Sequence, residues 1–232
     1  MGLILNDHSY IEMRKYLASR KDFNEVAFWE FNGAWNALIY RHQACVEAHQ
    51  SYTEAIKEYG ESPESPFRYQ QERELFHFFV DGLSVIETIC YGVYAIGSLL
   101  EAKDAELMAN DFPIATEEDR KHYNITDLRN KFCNKFPDDE VSKKLNRLTK
   151  SKQYKKWRVI RNNLSHRTSP GRIFYSGDSP KSATWIFGTE IDSETTEIRL
   201  AWLDENVEKL LDSLQNFVYK YFDITSPDKK FL

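Results

Sequence analysis

The segment from Gly82 to Leu100 constrains the chain more than any other. It is apolar nearly all round, interrupted only by Glu87 and a few small polar residues. A helix of that kind has no face to offer water, so neighbours must surround it. Its length approaches that of a membrane span. However, Glu87 lies well inside it, Asp81 and Glu101 bracket it, and the sequence has no second segment like it. The expectation is a core helix and no membrane partner.

The rest of the chain offers helices to pack around it. A short helix is expected over residues 8–20. A long one is expected from Asn24 to Tyr59, where positions 28, 31, 35, 38, 42, 45 and 49 recur in steps of three and four. Gly60-Glu-Ser-Pro-Glu-Ser-Pro66 breaks the chain. The core helix then runs from about Phe67 to Glu101, with Phe76, Val80, Leu83, Cys90, Val93, Gly97 and Leu100 in one stripe. Gly82, Gly92 and Gly97 would let neighbours approach closely. Residues 104–123 are less regular. Asn124 begins a short helix through Phe136, and Pro137 with three acids opens the next. A further helix spans residues 151–167 and ends at Pro170-Gly171.

The pattern then changes. Arg172–Tyr175, Ala183–Phe187 and Glu197–Trp202 are β-branched and aromatic, which predicts a small hairpin of two or three strands. Asp204 would cap a last helix to Phe222. Only nine glycines and seven prolines occur in 232 residues, which suits helices better than turns. The expected fold is all-α, a helical bundle with a small β-hairpin insertion before the last helix. Residues 1–23 would form a helical extension and residues 24–232 the main domain, with the insertion at about 172–202.

Three widely spaced cysteines give neither a disulfide framework nor a Cys-x-x-Cys metal pair. The start, Met-Gly-Leu-Ile-Leu-Asn-Asp, lacks the basic flank and long apolar run of a signal peptide, so a cytoplasmic location is expected. His42, Cys45 and His49 share one helical stripe and are residue types that bind zinc. They share it with Phe31, Trp35 and Leu38, and no fourth ligand is apparent, so core packing explains them. No cofactor is called for.

Charge is distributed unevenly. From Val141 to Gly177 the chain has eleven Lys and Arg and no acid, although its net charge is −5, which leaves −16 on the remainder. Such a stretch attracts polyanions locally, unless it is a solvated face that pairs with acids elsewhere. Lys152, Lys155, Lys156, Arg158, Arg167 and Arg172 are the candidate RNA-binding residues.

Within it stands Trp157-Arg-Val-Ile-Arg161-Asn162-Asn163-Leu164-Ser165-His166. At about 100° per residue, Trp157, Ile160 and Leu164 form an apolar face. Arg161 with Ser165, and Asn162 with His166, form two adjoining polar rows. Arg161-Asn162-x3-His166, late in an all-α bundle, resembles the Arg-x4–6-His motif of the HEPN superfamily. The resemblance implies a homodimer with two facing motifs. It also implies metal-independent endoribonuclease activity, as in toxins and defence effectors that an antitoxin or other regulatory protein can hold. His166 would act as general acid or base, Arg161 would hold the scissile phosphate, and Asn162 would orient phosphate or imidazole. Other members have lost catalysis and only bind, and the rival reading is a non-catalytic helical module of the same build that binds RNA, a nucleotide or a protein. An adaptor with an acidic body and no nucleic-acid role is the third possibility. The alternative for Arg161 and His166 is a structural helix end, with His166 favoured there by the helix dipole and Arg161 pairing with Glu87 in the core. Asp81 or Glu87 either positions the motif or is a satisfied buried acid.

Overall fold

A computed structural model describes residues 7–20, 24–103, 111–166, 171–174, 183–185, 188–192 and 194–222. Among these residues eight helices and two short strands follow in order: α1 (Asp7–Ala18), α2 (Glu25–Tyr59), α3 (Ser65–Lys103), α4 (Glu117–Lys121), α5 (Ile125–Lys135), α6 (Glu140–Lys150), α7 (Lys152–His166), β1 (Arg172–Phe174), β2 (Ala183–Trp185) and α8 (Glu194–Tyr221). The protein is an all-α bundle with one minimal hairpin before its last helix.

Local chemistry sets the ends of α2. The Asn24 side chain accepts from the backbone N–H of Ala27, satisfying an orphan donor of the first turn. Gly60, at φ 73°, closes the helix and returns its N–H to the Ile56 carbonyl. Along α2 the expected stripe is buried from Phe28 to Cys45.

Helix α3 packs along α2 and also meets α5, α7 and α8. It is long and apolar enough to cross a membrane, yet 78% of its apolar window is buried against protein, as in the core helix of a soluble domain. Its N-terminal half differs in register from the expected stripe. Phe76 is exposed, while Leu75, Phe78 and Phe79 are fully buried. Two of its three glycines accept rings: Gly82 lies under Trp157, and Gly97 under Phe112. Gly92 meets only the Ala34 methyl in ordinary contact.

Helix α1 is part of the same core. Tyr10 stacks on Trp35 with centroids 4.1 Å apart, and its hydroxyl donates to Asn32 Oδ1 at 2.6 Å. The residues before Asp7, including the start of the chain, lie outside the described residues.

Two expectations near the C-terminus need correction. Glu197–Trp202 is not a strand: α8 begins at Glu194, and Thr196, Leu200, Leu203 and Val207 are buried at helical spacing. Asp204 is therefore not a cap. It sits inside α8 with Oδ1 2.7 Å from His42 Nε2. The hairpin has two strands in antiparallel register, Ile173 opposite Thr184. Tyr175, Ile186 and Phe187 lie outside the described residues, as do Pro170 and Arg167.

Candidate functional site: the basic helix and the groove beside it

Helix α7 docks through the apolar face expected of it. Tyr154, Trp157 and Ile160 are buried, and Leu164 packs against the same core. Trp157 lies over Gly82 and beside Phe78, and its indole N–H donates to the Phe79 carbonyl at 2.9 Å. That bond satisfies the polar edge of a buried ring. It also fixes the register of α7 on α3.

This register seats Arg161 on α3. Its Nη2 donates to Glu87 Oε1. The Arg161 side chain is only 20% exposed, and its Nε is buried with no partner among the described residues. Burial holds the Glu87 carboxyl above its ordinary range, and Arg161 pulls it partly back. Glu87 is thus the acid that contacts the motif helix. Asp81, the other acid on this helix, turns instead to Arg41 at 2.8 Å.

Asn162 is half-buried beside Arg161. His166 is the last residue of α7, one turn beyond Asn162, and its side chain lies outside the described residues. Lys152, Lys155, Lys156 and Arg158 are all exposed on this helix, with Arg147 and Lys150 exposed just before it. Arg172, expected among the RNA-binding residues, does not belong to this exposed face. Its side chain is 2% exposed, paired with Glu72, and its Nη1 donates to Gln71 Oε1 at 3.0 Å. Glu72 also accepts from Trp185 Nε1 at 2.8 Å. Arg172 therefore ties the hairpin to α3 and offers nothing to a phosphate.

His42, Cys45 and His49 each have a separate partner. Beside the His42–Asp204 contact, Cys45 Sγ donates to the Phe78 carbonyl at 3.6 Å and His49 Nδ1 lies 2.8 Å from Thr196 Oγ1. Among the described residues no group of three metal-ligand side chains comes together.

The sequence reading missed a groove of about 410 Å³ between α2 and α3. On α2 it is lined by Glu30, Gly33, Ala34, Ala37 and Arg41, a single stripe at helical spacing. On α3 it is lined by Ser84, Glu87, Thr88 and Tyr91, the one open stripe of an otherwise buried stretch. Tyr123 closes one side, its ring edge-on to Tyr91 at 5.1 Å. Glu30 holds that end together, with Oε1 3.2 Å from Arg120 Nε and Oε2 accepting from the Tyr91 hydroxyl at 3.0 Å. Glu87 thus belongs both to the groove and to the motif. A glycine kept inside a strong helix, followed by two alanines on one side, was the available signal.

No family model matches the chain, and neither the curated proteins nor the solved structures contain a match.

Proposed function

We propose that the chain is a HEPN-like, metal-independent endoribonuclease that acts as a dimer, with Arg161 and His166 at its reacting centre. The observation that supports this reading is the seat of Arg161. Glu87 anchors its guanidinium at the lip of an open groove, on the helix that presents Lys152, Lys155, Lys156 and Arg158 to solvent. Electrostatic catalysis needs a charge fixed before the substrate arrives, and an anchored arginine meets that need. The lysines supply sequence-independent attraction for the RNA backbone.

The chemistry balances without a cofactor. His166 takes the proton of a ribose 2′-hydroxyl. The 2′-oxygen attacks the adjacent phosphorus, and the bond from phosphorus to the 5′-oxygen breaks. His166 of a second copy gives that oxygen a proton. The products are a 2′,3′-cyclic phosphate and a 5′-hydroxyl. Arg161 offsets the charge that develops on the phosphoryl oxygens, and Asn162 orients the phosphate or the imidazole. A toxin or defence role under an antitoxin or other regulator is the biological setting this chemistry fits.

One observation favours a second reading, a non-catalytic RNA-binding module. The Arg161 guanidinium already has a carboxylate partner, so it holds a phosphate only by sharing or leaving Glu87. Incubation of mixed RNA with purified protein in EDTA, beside folded His166→Ala and Arg161→Ala variants, separates the two. Cleavage by the unaltered protein alone supports the enzyme. RNA that is bound but intact in all three supports the module.

A further inference from the structure

Gly33 stands near the first third of the 35-residue helix α2. A glycine there costs helix stability, because the unfolded backbone loses more freedom on folding than that of any other residue. Gly82 and Gly97 repay that cost by admitting a ring. At Gly33 a Cβ would meet no atom of another described element within 4 Å. The space above it is the groove. Its small floor, Gly33, Ala34 and Ala37, therefore leaves room that the described residues do not fill.

The lining states what would fill it. At about 410 Å³ the groove has the volume of a small-ligand site. From Glu30 to Arg41 it runs along eleven residues of helix, ~16 Å at 1.5 Å each, room for one nucleotide with its phosphate. Tyr91 supplies a planar aromatic wall at one end, and at the other stands half-exposed Arg41, whose Nη1 is bonded to Asp81 at 2.8 Å while the rest of its guanidinium faces outward. Between them stand Glu87 and Ser84, which offer acceptors, and the Thr88 hydroxyl, which can accept or donate. Glu87 Oε2 takes no hydrogen bond from a described residue, because Arg161 uses only Oε1. The Ser84 hydroxyl spends its proton on the Val80 carbonyl at 2.8 Å, which leaves its oxygen free to accept. A ligand for this groove must bring donors side by side on a flat ring. Guanine does so through N1–H and N2–H₂, whereas the other bases present fewer donors beside acceptors.

Building on the ribonuclease reading, we infer that the groove is a base-binding subsite for a guanosine phosphate unit, with Glu87 and Ser84 reading its Watson–Crick edge, Tyr91 stacking on the ring and Arg41 meeting its phosphate. The unit is either a nucleotide of the RNA strand, placed beside Arg161, or a free mononucleotide.

Gly33→Leu fills the groove with a better helix former and changes neither Arg161 nor Glu87. Thermal melting should show this variant at least as stable as the original. Guanosine and adenosine 5′-monophosphate are titrated into both proteins by calorimetry, and the cut ends of a random RNA pool are sequenced. Guanosine monophosphate should bind about tenfold more tightly than adenosine monophosphate, in line with one or two hydrogen bonds of discrimination, and Gly33→Leu should abolish the difference. A guanosine preference at the cut ends, lost in Gly33→Leu, places the unit in the RNA strand. Cleavage with no base preference and no mononucleotide binding overturns the subsite and leaves the ribonuclease standing. Guanosine monophosphate binding without cleavage keeps the subsite and overturns the enzyme. Neither binding nor cleavage overturns both.

Discussion

Trp157 of α7 lies over Gly82 of α3, with its indole N–H bonded to the Phe79 carbonyl at 2.9 Å. That one contact sets where Arg161, a turn later, meets Glu87. The site thus depends on a packing choice made at a glycine.

Gly82→Ala should be disruptive out of proportion to its size. A Cβ at this position falls inside the envelope of the Trp157 ring. Overpacking of this kind costs about 1–3 kcal/mol, and Trp157→Ala, which leaves a cavity, about 3–5 kcal/mol. Urea unfolding curves measure both. Equal stability of Gly82→Ala and the original would contradict the docking.

Gly33→Ala should move stability the other way. The added methyl enters open space, and the helix gains about 0.5–1 kcal/mol from the better helix former. The midpoint in urea should rise at constant slope. A fall would mean that the floor of the groove is packed.

The hairpin tether and the basic face should separate cleanly. Arg172→Ala leaves Glu72 half-paired beside Trp185, and removing one partner of a buried pair costs about 3 kcal/mol. Its RNA affinity should keep the same salt dependence as the original. Lys155→Ala should do the reverse, leaving unfolding unchanged and lowering the slope of log affinity against log salt by about one. Filter binding at several salt concentrations reads the slope.

Much of this was legible in the sequence, and the reasons differ by element. The α2 stripe and the burial of α3 beyond Gly82, apart from its one open stripe, follow from apolar spacing alone, and the docking face of α7 follows from Trp157, Ile160 and Leu164. Glu197–Trp202 misled because Ile198 and Trp202 are strand formers. The burial of Thr196, Leu200 and Leu203 over the bundle outweighs that propensity. Arg172 looked like one more surface cation, since its partner Glu72 is 100 residues earlier and no local pattern links them. The groove was hidden for a related reason. Gly33 marks it, but its other wall comes from α3, and only the pairing of the two helices brings Glu87 opposite.

Glu87 should carry a pH signature. Burial raises its pKa in the folded protein above the ordinary carboxylate value of 4.5. Between 4.5 and the raised value the folded state holds more proton than the unfolded state. The contribution of Glu87 to stability therefore falls as pH rises through that window, and is relieved as pH drops. Unfolding free energies of the original and Glu87→Gln, compared from pH 4 upward, should differ by a term that grows less favourable to the original with rising pH. A difference independent of pH would mean that the carboxyl is not desolvated.

The central claim concerns chemistry at Arg161 and His166, and the nature of the cut ends tests it most directly. RNA treated with the protein in EDTA should yield 2′,3′-cyclic phosphate and 5′-hydroxyl termini. A folded His166→Ala variant should yield them about 10²–10⁴-fold more slowly, the usual contribution of acid–base catalysis. Intact RNA with the original protein, or unchanged cutting by His166→Ala, would contradict the account.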